Sequence, residues 1–255
     1  MRNVMIIWRK ELNSYFVSPI AYFLLALFGV VTSFFFWIYL QGFVQYGMEM
    51  QMRGEPYPLN LNEQIIRPLI SNAAVIGLFL IPMITMRLFA EEKRNGTIEL
   101  LTTSPIRDVE VILGKWLAAV TLWVCMLLFT ALNFAFLFKY GNPDWKPLAI
   151  GYLGLLLQGA ALMALGTFIS SLTKNQIIAG AATFAIGILL WVISAVGDFD
   201  STTWTKVFSY MSITNHLESF QKGVIDLKDA IYYATFTFLG LFFTARSMEA
   251  LRWRS

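Results

Sequence analysis

The sequence predicts an all-α, polytopic membrane protein with six transmembrane helices, and three observations lead there. Of its 255 residues, 57% are hydrophobic and only 14% charged, with a mean hydropathy of +0.62, whereas a soluble protein carries about 25% charged residues. Six apolar stretches approach or reach the roughly 20 residues that a helix needs to cross a bilayer, at about 20–40, 68–86, 116–138, 148–172, 177–197 and 230–245, and none contains Asp, Glu, Lys, Arg or His. The charge gathers between them instead: residues 87–115, "RLFAEEKRNGTIELLTTSPIRDVEVILGK", carry ten charged side chains. Helices are expected because only helices and closed barrels satisfy every backbone polar group in lipid. The whole chain, 1–255, reads as one transmembrane domain. No signal peptide is expected, for the start lacks a short apolar core and a small-residue cleavage site.

Residues 1–18 come first. Val4, Trp8, Leu12 and Phe16 are four apart and share a helical stripe, with Arg2, Arg9, Lys10 and Asn13 largely off it. This predicts an amphipathic helix lying at the inner membrane surface, its basic side toward lipid phosphates; the alternative is a plain extension of the first span. Ser18 and Pro19 then open the first span as cap and first-turn residue. The stretch 41–67, which holds "GEPYPLNLNEQ", reads as irregular. Counting Lys and Arg in alternate loops gives 12 on the N-terminal side and 7 on the other, so the positive-inside rule puts both termini in the cytoplasm. The loop 91–105 is then cytoplasmic too.

That loop has its own structure in prospect. Asn95-Gly96 is a helix-ending signal, since both residues tolerate positive φ. Thr97 can cap a new short helix with Glu99 in its first turn and Ile98, Leu100 and Leu101 giving it an apolar side. "SPI" recurs at 104–106 and is expected to open the third span. The result is a projecting helical knob suited to docking in a groove of a soluble partner, the alternative being an ordinary solvated hairpin. Asn95-Gly96-Thr97 also fits the N-glycosylation pattern, which a cytoplasmic location makes irrelevant.

The outer loop 198–229 is expected to hold short helices at about 202–211 and 215–221 that dip back toward the membrane under protein cover. Asp226 can cap the last span, with Asp229 three residues on. His216 is the only histidine, and the reading favoured for it is structural. Trp204, His216 and Phe220 are candidates for contact with an outer partner. The single cysteine, Cys125, sits in an apolar run and reads as a small buried residue.

These features weigh against two classes of function. An intramembrane enzyme needs a nucleophile with a base, or a metal cluster, and the chain offers no HExxH and no histidine pair. An ion-coupled transporter normally keeps ionisable residues inside its spans, and these spans have none. A membrane subunit moved by an external motor needs only a stiff cytoplasmic contact and helices that rock. The chain has no GxxxxGK[ST] phosphate loop: "VEVILGKW" has no glycine five before Gly114, and Trp116 stands where the hydroxyl residue would be.

The motif "RLFAEEKRNGTIELLTTSPI" followed by "LGK" resembles the signature of ABC-2 type transporter permeases. "SPIAY" after a helical N-terminus and a long loop before the last span extend the likeness over the chain. "NHLESFQKGVIDLKDAIYY" with "ARSMEALRWRS" resembles the branch of gliding-motility and nitrous-oxide-reductase-maturation permeases. The resemblance implies a coupling helix docking on an ATP-binding subunit through Glu91, Glu92, Arg94, Asn95, Gly96, Thr97, Ile98, Glu99, Leu100, Leu101, Ser104 and Pro105. Gly114 and Lys115 would form the base of the third span. It also implies two ATP-binding subunits holding ATP and Mg, a second permease copy or a related permease, and a place in the bacterial inner membrane. It implies no cofactor bound by the chain itself, and nothing points to nucleic acid. The function expected is export of an amphipathic or polymeric substrate. The alternative is transmission of ATPase movement to periplasmic or outer-membrane partners, with an auxiliary subunit bearing a large periplasmic region.

Overall fold

The computed structural model describes residues 2–54, 60–98, 106–196 and 203–252, and among these the chain is helical with no strand. The helices are α1 (Arg2–Val17), α2 (Pro19–Arg53), α3 (Arg67–Thr85), α4 (Ala90–Asn95), α5 (Asp108–Tyr140), α6 (Trp145–Leu172), α7 (Gln176–Val196), α8 (Thr203–Met211), α9 (Leu217–Gln221) and α10 (Leu227–Arg252). A π-helical turn, Asn62–Ile66, leads directly into α3.

Five stretches are long and apolar enough to cross a membrane: Pro19–Arg53, Asn62–Asn95, Asp108–Tyr140, Trp145–Leu172 and Gln176–Ser194. The sixth apolar stretch lies within the 26-residue helix α10, but its threonines, its paired tyrosines and Arg246 dilute its hydropathy. Two boundaries differ from the sequence reading. Residues 41–53 are not irregular but continue α2: the stretch has no proline, and Gly42 and Gly47 stay helical, until Gly54 takes the left-handed conformation and ends the helix. The Glu49–Arg53 ion pair spans the last turn. The third long helix starts at Asp108 rather than at the second "SPI". Glu110 reaches back to accept the Arg107 N–H at 3.3 Å, and this side-chain cap fixes the start. The first "SPI" behaves as read: Ser18 Oγ accepts the Ile20 N–H at 3.3 Å and Pro19 opens α2.

Helix α6 is the centre of the bundle. Its buried positions include Gly151, Gly154, Gly159, Ala160, Ala161, Ala164 and Gly166. Small residues let neighbouring backbones approach, which is the main source of helix association where the solvent is as apolar as the side chains. Helices α3, α5, α7, α9 and α10 all pack on it. Two tryptophans of α5 use this closeness. Trp116 and Trp123 donate their indole N–H groups to the carbonyls of Ala160 and Leu155, both at 3.0 Å. Gln158, 2% exposed on α6, is one exception to polar satisfaction, with neither amide atom bonded among the described residues.

At the opposite end from α1, the short helices α8 and α9 sit near the positions read from the sequence. Phe220 is fully buried and packs where Gly154 leaves room on α6. Glu218 ties this end to the start of α3 through Arg67 (3.2 Å) and pairs with Lys222 (2.8 Å). The Lys222 hydrogen bond and these charges hold its carboxyl below the usual carboxylate range.

Candidate functional site

The charged loop and its surroundings form the candidate site. Helix α3 ends at Thr85, one turn after the internal Pro82, whose missing N–H weakens the ladder there. A turn over residues 86–89 separates it from α4, so Glu91 and Glu92 lie past a break near the end of the stretch Asn62–Asn95. They begin a helix of their own. The break leaves backbone groups without helical partners, and Ser170 of α6 takes them up. Its Oγ accepts the N–H groups of Phe89 and Ala90, each at 3.1 Å, and donates to the Met86 carbonyl at 3.0 Å. One hydroxyl thus satisfies three groups at a kink that would otherwise be exposed to apolar surroundings.

Helix α4 has acidic residues in its first turn and Lys93 and Arg94 in its last, the order the helix dipole favours. It stops at Gly96, whose φ of +72° is the left-handed conformation that glycine adopts without strain. The Thr97 hydroxyl donates back to the Glu92 carbonyl at 3.4 Å and closes α4, and the short helix expected after it falls largely outside the described residues. Ile98 packs against the core. Glu99, Leu100, Leu101, Ser104 and Pro105 lie outside the described residues. Lys93 is buried and donates to the Ser171 carbonyl at the end of α6, which also accepts from Ser247 of α10 at 3.3 Å. That carbonyl is one of the last-turn acceptors a helix leaves open.

Lys115 is the hub. It is 2% exposed, near the start of α5, and its ammonium meets Glu11 of α1 at 3.0 Å and Glu92 of α4 at 2.8 Å. The Phe89 ring lies 5.4 Å from the ammonium. One residue earlier, Gly114 lets α1 close on α5: a Cβ there would stand 2.8 Å from Ile7. Further ties hold α1 down. Asn3 donates to Glu110 at 3.0 Å, Trp8 Nε1 to Thr121 Oγ1 at 2.9 Å, and the Tyr15 hydroxyl to the Ile84 carbonyl at 3.2 Å. Arg87 lies over the Tyr15 ring at 4.3 Å. Burial pushes the Tyr15 phenol well above its ordinary value, against the lowering effect of Arg87, so it stays a donor. Between α1 and α4 opens a cleft of about 380 Å³ whose walls include Lys10, Glu11, Arg87, Glu91, Asn95 and Thr97. Glu92 Oε2 is buried with no hydrogen-bond partner among the described residues.

The arrangement contains no group of three or more metal-ligating side chains among the described residues. Its contacts join α4 to α1 and α5 through Lys115, and the α3–α4 break and α4 to α6 and α10 through Ser170 and the Ser171 carbonyl. Of the residues read from sequence, the structure brings Glu92 and Lys115 into direct contact and places Glu91, Asn95 and Thr97 on the adjoining cleft. Arg94 is exposed. The outer candidates lie elsewhere. Helix α8 carries Trp204 in its backbone, and Phe220 is internal. His216 is buried, with Nδ1 2.7 Å from Asp229 and Nε2 2.8 Å from the Tyr210 carbonyl, and it stacks on Tyr232 at 3.8 Å between ring centroids. A carbonyl only accepts, so Nε2 is the donor in the contact with Tyr210. Sequence reasoning missed Glu11, Tyr15, Lys93, Ser170 and Ser171. The "SS" pair at the end of an apolar run was the one visible signal.

Two outcomes are expected from this geometry. Ser170→Ala strands two N–H groups and a carbonyl, and should lower stability in detergent by about 1–3 kcal/mol, measured by denaturant unfolding. Lys115→Met leaves two carboxylates facing each other without their cation, and should cost about 3 kcal/mol. Adding Glu11→Gln and Glu92→Gln to it should recover most of that loss, because no uncompensated charge is then left.

The comparisons with known proteins can be set beside this geometry. The family described as ABC-2 family transporter protein matches residues 5–244. The probable multidrug ABC transporter permease YbhR of Escherichia coli K12 is 25% identical over 211 residues, covering 75% of this chain and 55% of the relative, and the same protein of Escherichia coli O157:H7 gives the same values. The chain therefore spans about half the length of these curated relatives. The family match runs from α1 into α10 and takes in Glu11, Glu92 and Lys115, and the chain belongs to the ABC-2 family of transporter proteins.

Proposed function

We propose that this chain is the transmembrane permease subunit of an ATP-driven transporter, moved by a separate ATP-binding subunit that docks on the loop following α4. The observation that carries this reading is the Lys115 hub. A buried cation joins the helix before that loop, the helix after it and the N-terminal helix, so the contact surface cannot shift without moving helices that enter the membrane. Family membership supplies the ATP-binding partner that the chemistry of the chain calls for.

In this reading α10 is the sixth span, both termini and the Lys115 hub face the cytoplasm, and α1 lies along the inner face of the bacterial inner membrane. Ile98, Glu99, Leu100 and Leu101 form the docking knob, with Glu91, Glu92 and Arg94 before it, Asn95, Gly96 and Thr97 as its turn and cap, Ser104 and Pro105 after it, and Gly114 and Lys115 behind it. Two permeases pair over two ATP-binding subunits, and ATP and Mg stay on those subunits. The cargo is amphipathic or polymeric and leaves the cell. The multidrug role printed for the Escherichia coli relatives supports export over transmission of movement alone. Placement in the gliding-motility and nitrous-oxide-reductase-maturation branch, with an auxiliary periplasmic subunit, rests on the tail motif beginning "NHLESF".

The test is purification of the tagged chain from its own membranes in mild detergent, with the ATPase activity of whatever comes with it. A phosphate-loop ATPase should copurify and be regulated by the permease. Gly96→Pro and Glu99→Lys should leave membrane insertion intact while abolishing that regulation. A chain that purifies alone, or variants with unchanged coupling, would contradict the reading.

A further inference from the structure

A second surface of α1 has no part in the Lys115 hub. Val4, Met5 and Trp8 of α1 and Leu113 and Leu117 of α5 line an apolar groove of about 490 Å³. It is open: Met5 is 62% exposed and Leu117 37%. Trp8 has spent its indole N–H on Thr121, so it offers the groove an apolar ring with no donor left over. Leu113 and Leu117 lie in the second and third turns of α5, one of the helices able to cross a membrane. The groove therefore opens at the level where hydrocarbon begins.

Charge at the rim narrows the occupant. Met5 is three residues from Arg2 and four from Arg9, the spacings that make neighbours on a helix surface. Both arginines are exposed and have no ion-pair partner among the described residues. The acidic residue of α1, Glu11, is held by Lys115 on another face. The two arginines thus stand three and four residues from Met5 of the groove, about 10 Å apart along the helix axis. A guanidinium fork matches a phosphate in two-point geometry, and the groove's apolar lining matches the chemistry of an acyl chain.

We infer that the α1–α5 groove is a binding site for an anionic phospholipid of the cytoplasmic leaflet, with an acyl chain between Met5, Trp8 and Leu117 and its phosphate at Arg9 or Arg2. The inference rests on the reading that places α1 at the cytoplasmic surface. It adds a ligand that the coupling reading does not require. The site makes lipid part of the seat on which α1 rests, and the lateral position of α1 sensitive to the charge of the leaflet.

Photo-crosslinking tests it. Benzoylphenylalanine replaces Leu117, a half-exposed position that tolerates bulk. The full chain, bound to its ATPase, is reconstituted in phosphatidylcholine vesicles containing phosphatidylglycerol, with either lipid bearing the same labelled acyl chain. The expected result is preferential labelling by phosphatidylglycerol at Leu117, cut about five-fold by each of Arg2→Gln and Arg9→Gln. The same probe at Leu128, exposed farther along α5, should take the two lipids in their bulk ratio. Labelling in the bulk ratio at Leu117, a preference untouched by both arginine changes, or crosslinking to protein in place of lipid would overturn the site. Nucleotide-dependent ATPase regulation in the same vesicles is a separate readout. Coupling retained without lipid selectivity rejects the groove alone, and selectivity retained without coupling supports the groove and rejects the motor reading.

Discussion

A single ammonium group, that of Lys115, organises the end of the bundle where α1 and α4 meet α5. Burying a cation is costly unless carboxylates and good geometry offset the lost hydration. Here the carboxylates come from two segments that the chain keeps far apart, Glu11 in α1 and Glu92 in α4. The pairing requires α1 to lie against the base of α5, which in turn requires the glycine at 114. It also requires α4 to turn back toward α5, which the break at residues 86–89 allows. The hub therefore sets the position of the N-terminal helix and the direction in which the loop after Gly96 leaves the bundle.

The second constraint is the bilayer's intolerance of unpaired backbone. A kinked helix at the membrane boundary frees N–H and C=O groups, and each must find a partner inside the protein. Ser170 provides three such contacts from one hydroxyl, and Lys93 and Ser247 close the end of α6 on the Ser171 carbonyl. Because α6 is lined with small residues, it sits close enough to α3, α5 and α10 for these short side chains to reach. Packing and polar satisfaction are thus one problem here: the glycines of α6 bring the backbones together, and the serines at its end join what the approach brings near. The proposed function gives this junction a use, since a membrane subunit driven from outside must carry displacement from a surface loop into its spans.

What the sequence made legible was local. Six apolar stretches announced six long helices, Ser18-Pro19 a helix start, Asn95-Gly96 a helix end, and the apolar spacing in 202–221 two short outer helices. Each rests on residues within a few positions of one another. What it hid was long-range or depended on the absence of a signal. The partners Glu11 and Lys115 are separated by 104 positions and Phe89 and Ser170 by 81, and nothing in either neighbourhood marks the other. Helix α2 ran on to Arg53 because a mixed polar stretch without proline continues a helix as readily as it forms a loop, and Gly42 and Gly47 do not stop it. Asp229 looked like half of a helix cap and serves instead as the partner of His216, a contact that exists only once α9 folds over the start of α10. Among the candidate site residues, Glu92 and Lys115 were both named from sequence, but their mutual contact was not.

The central claim is that α1, α4 and the base of α5 move as one body when the partner ATPase works. Paired spin labels measure this directly, in a Cys125→Ala background that removes the native thiol. One pair would join Asn13 of α1 to Arg94 of α4, and another Arg94 to Val224 at the far end of the bundle, with distances taken before and after ATP is added to the permease–ATPase complex. The account predicts that the α1–α4 distance stays fixed while the end-to-end distance changes. An α1–α4 distance that shifts with nucleotide while the end-to-end distance holds would contradict it.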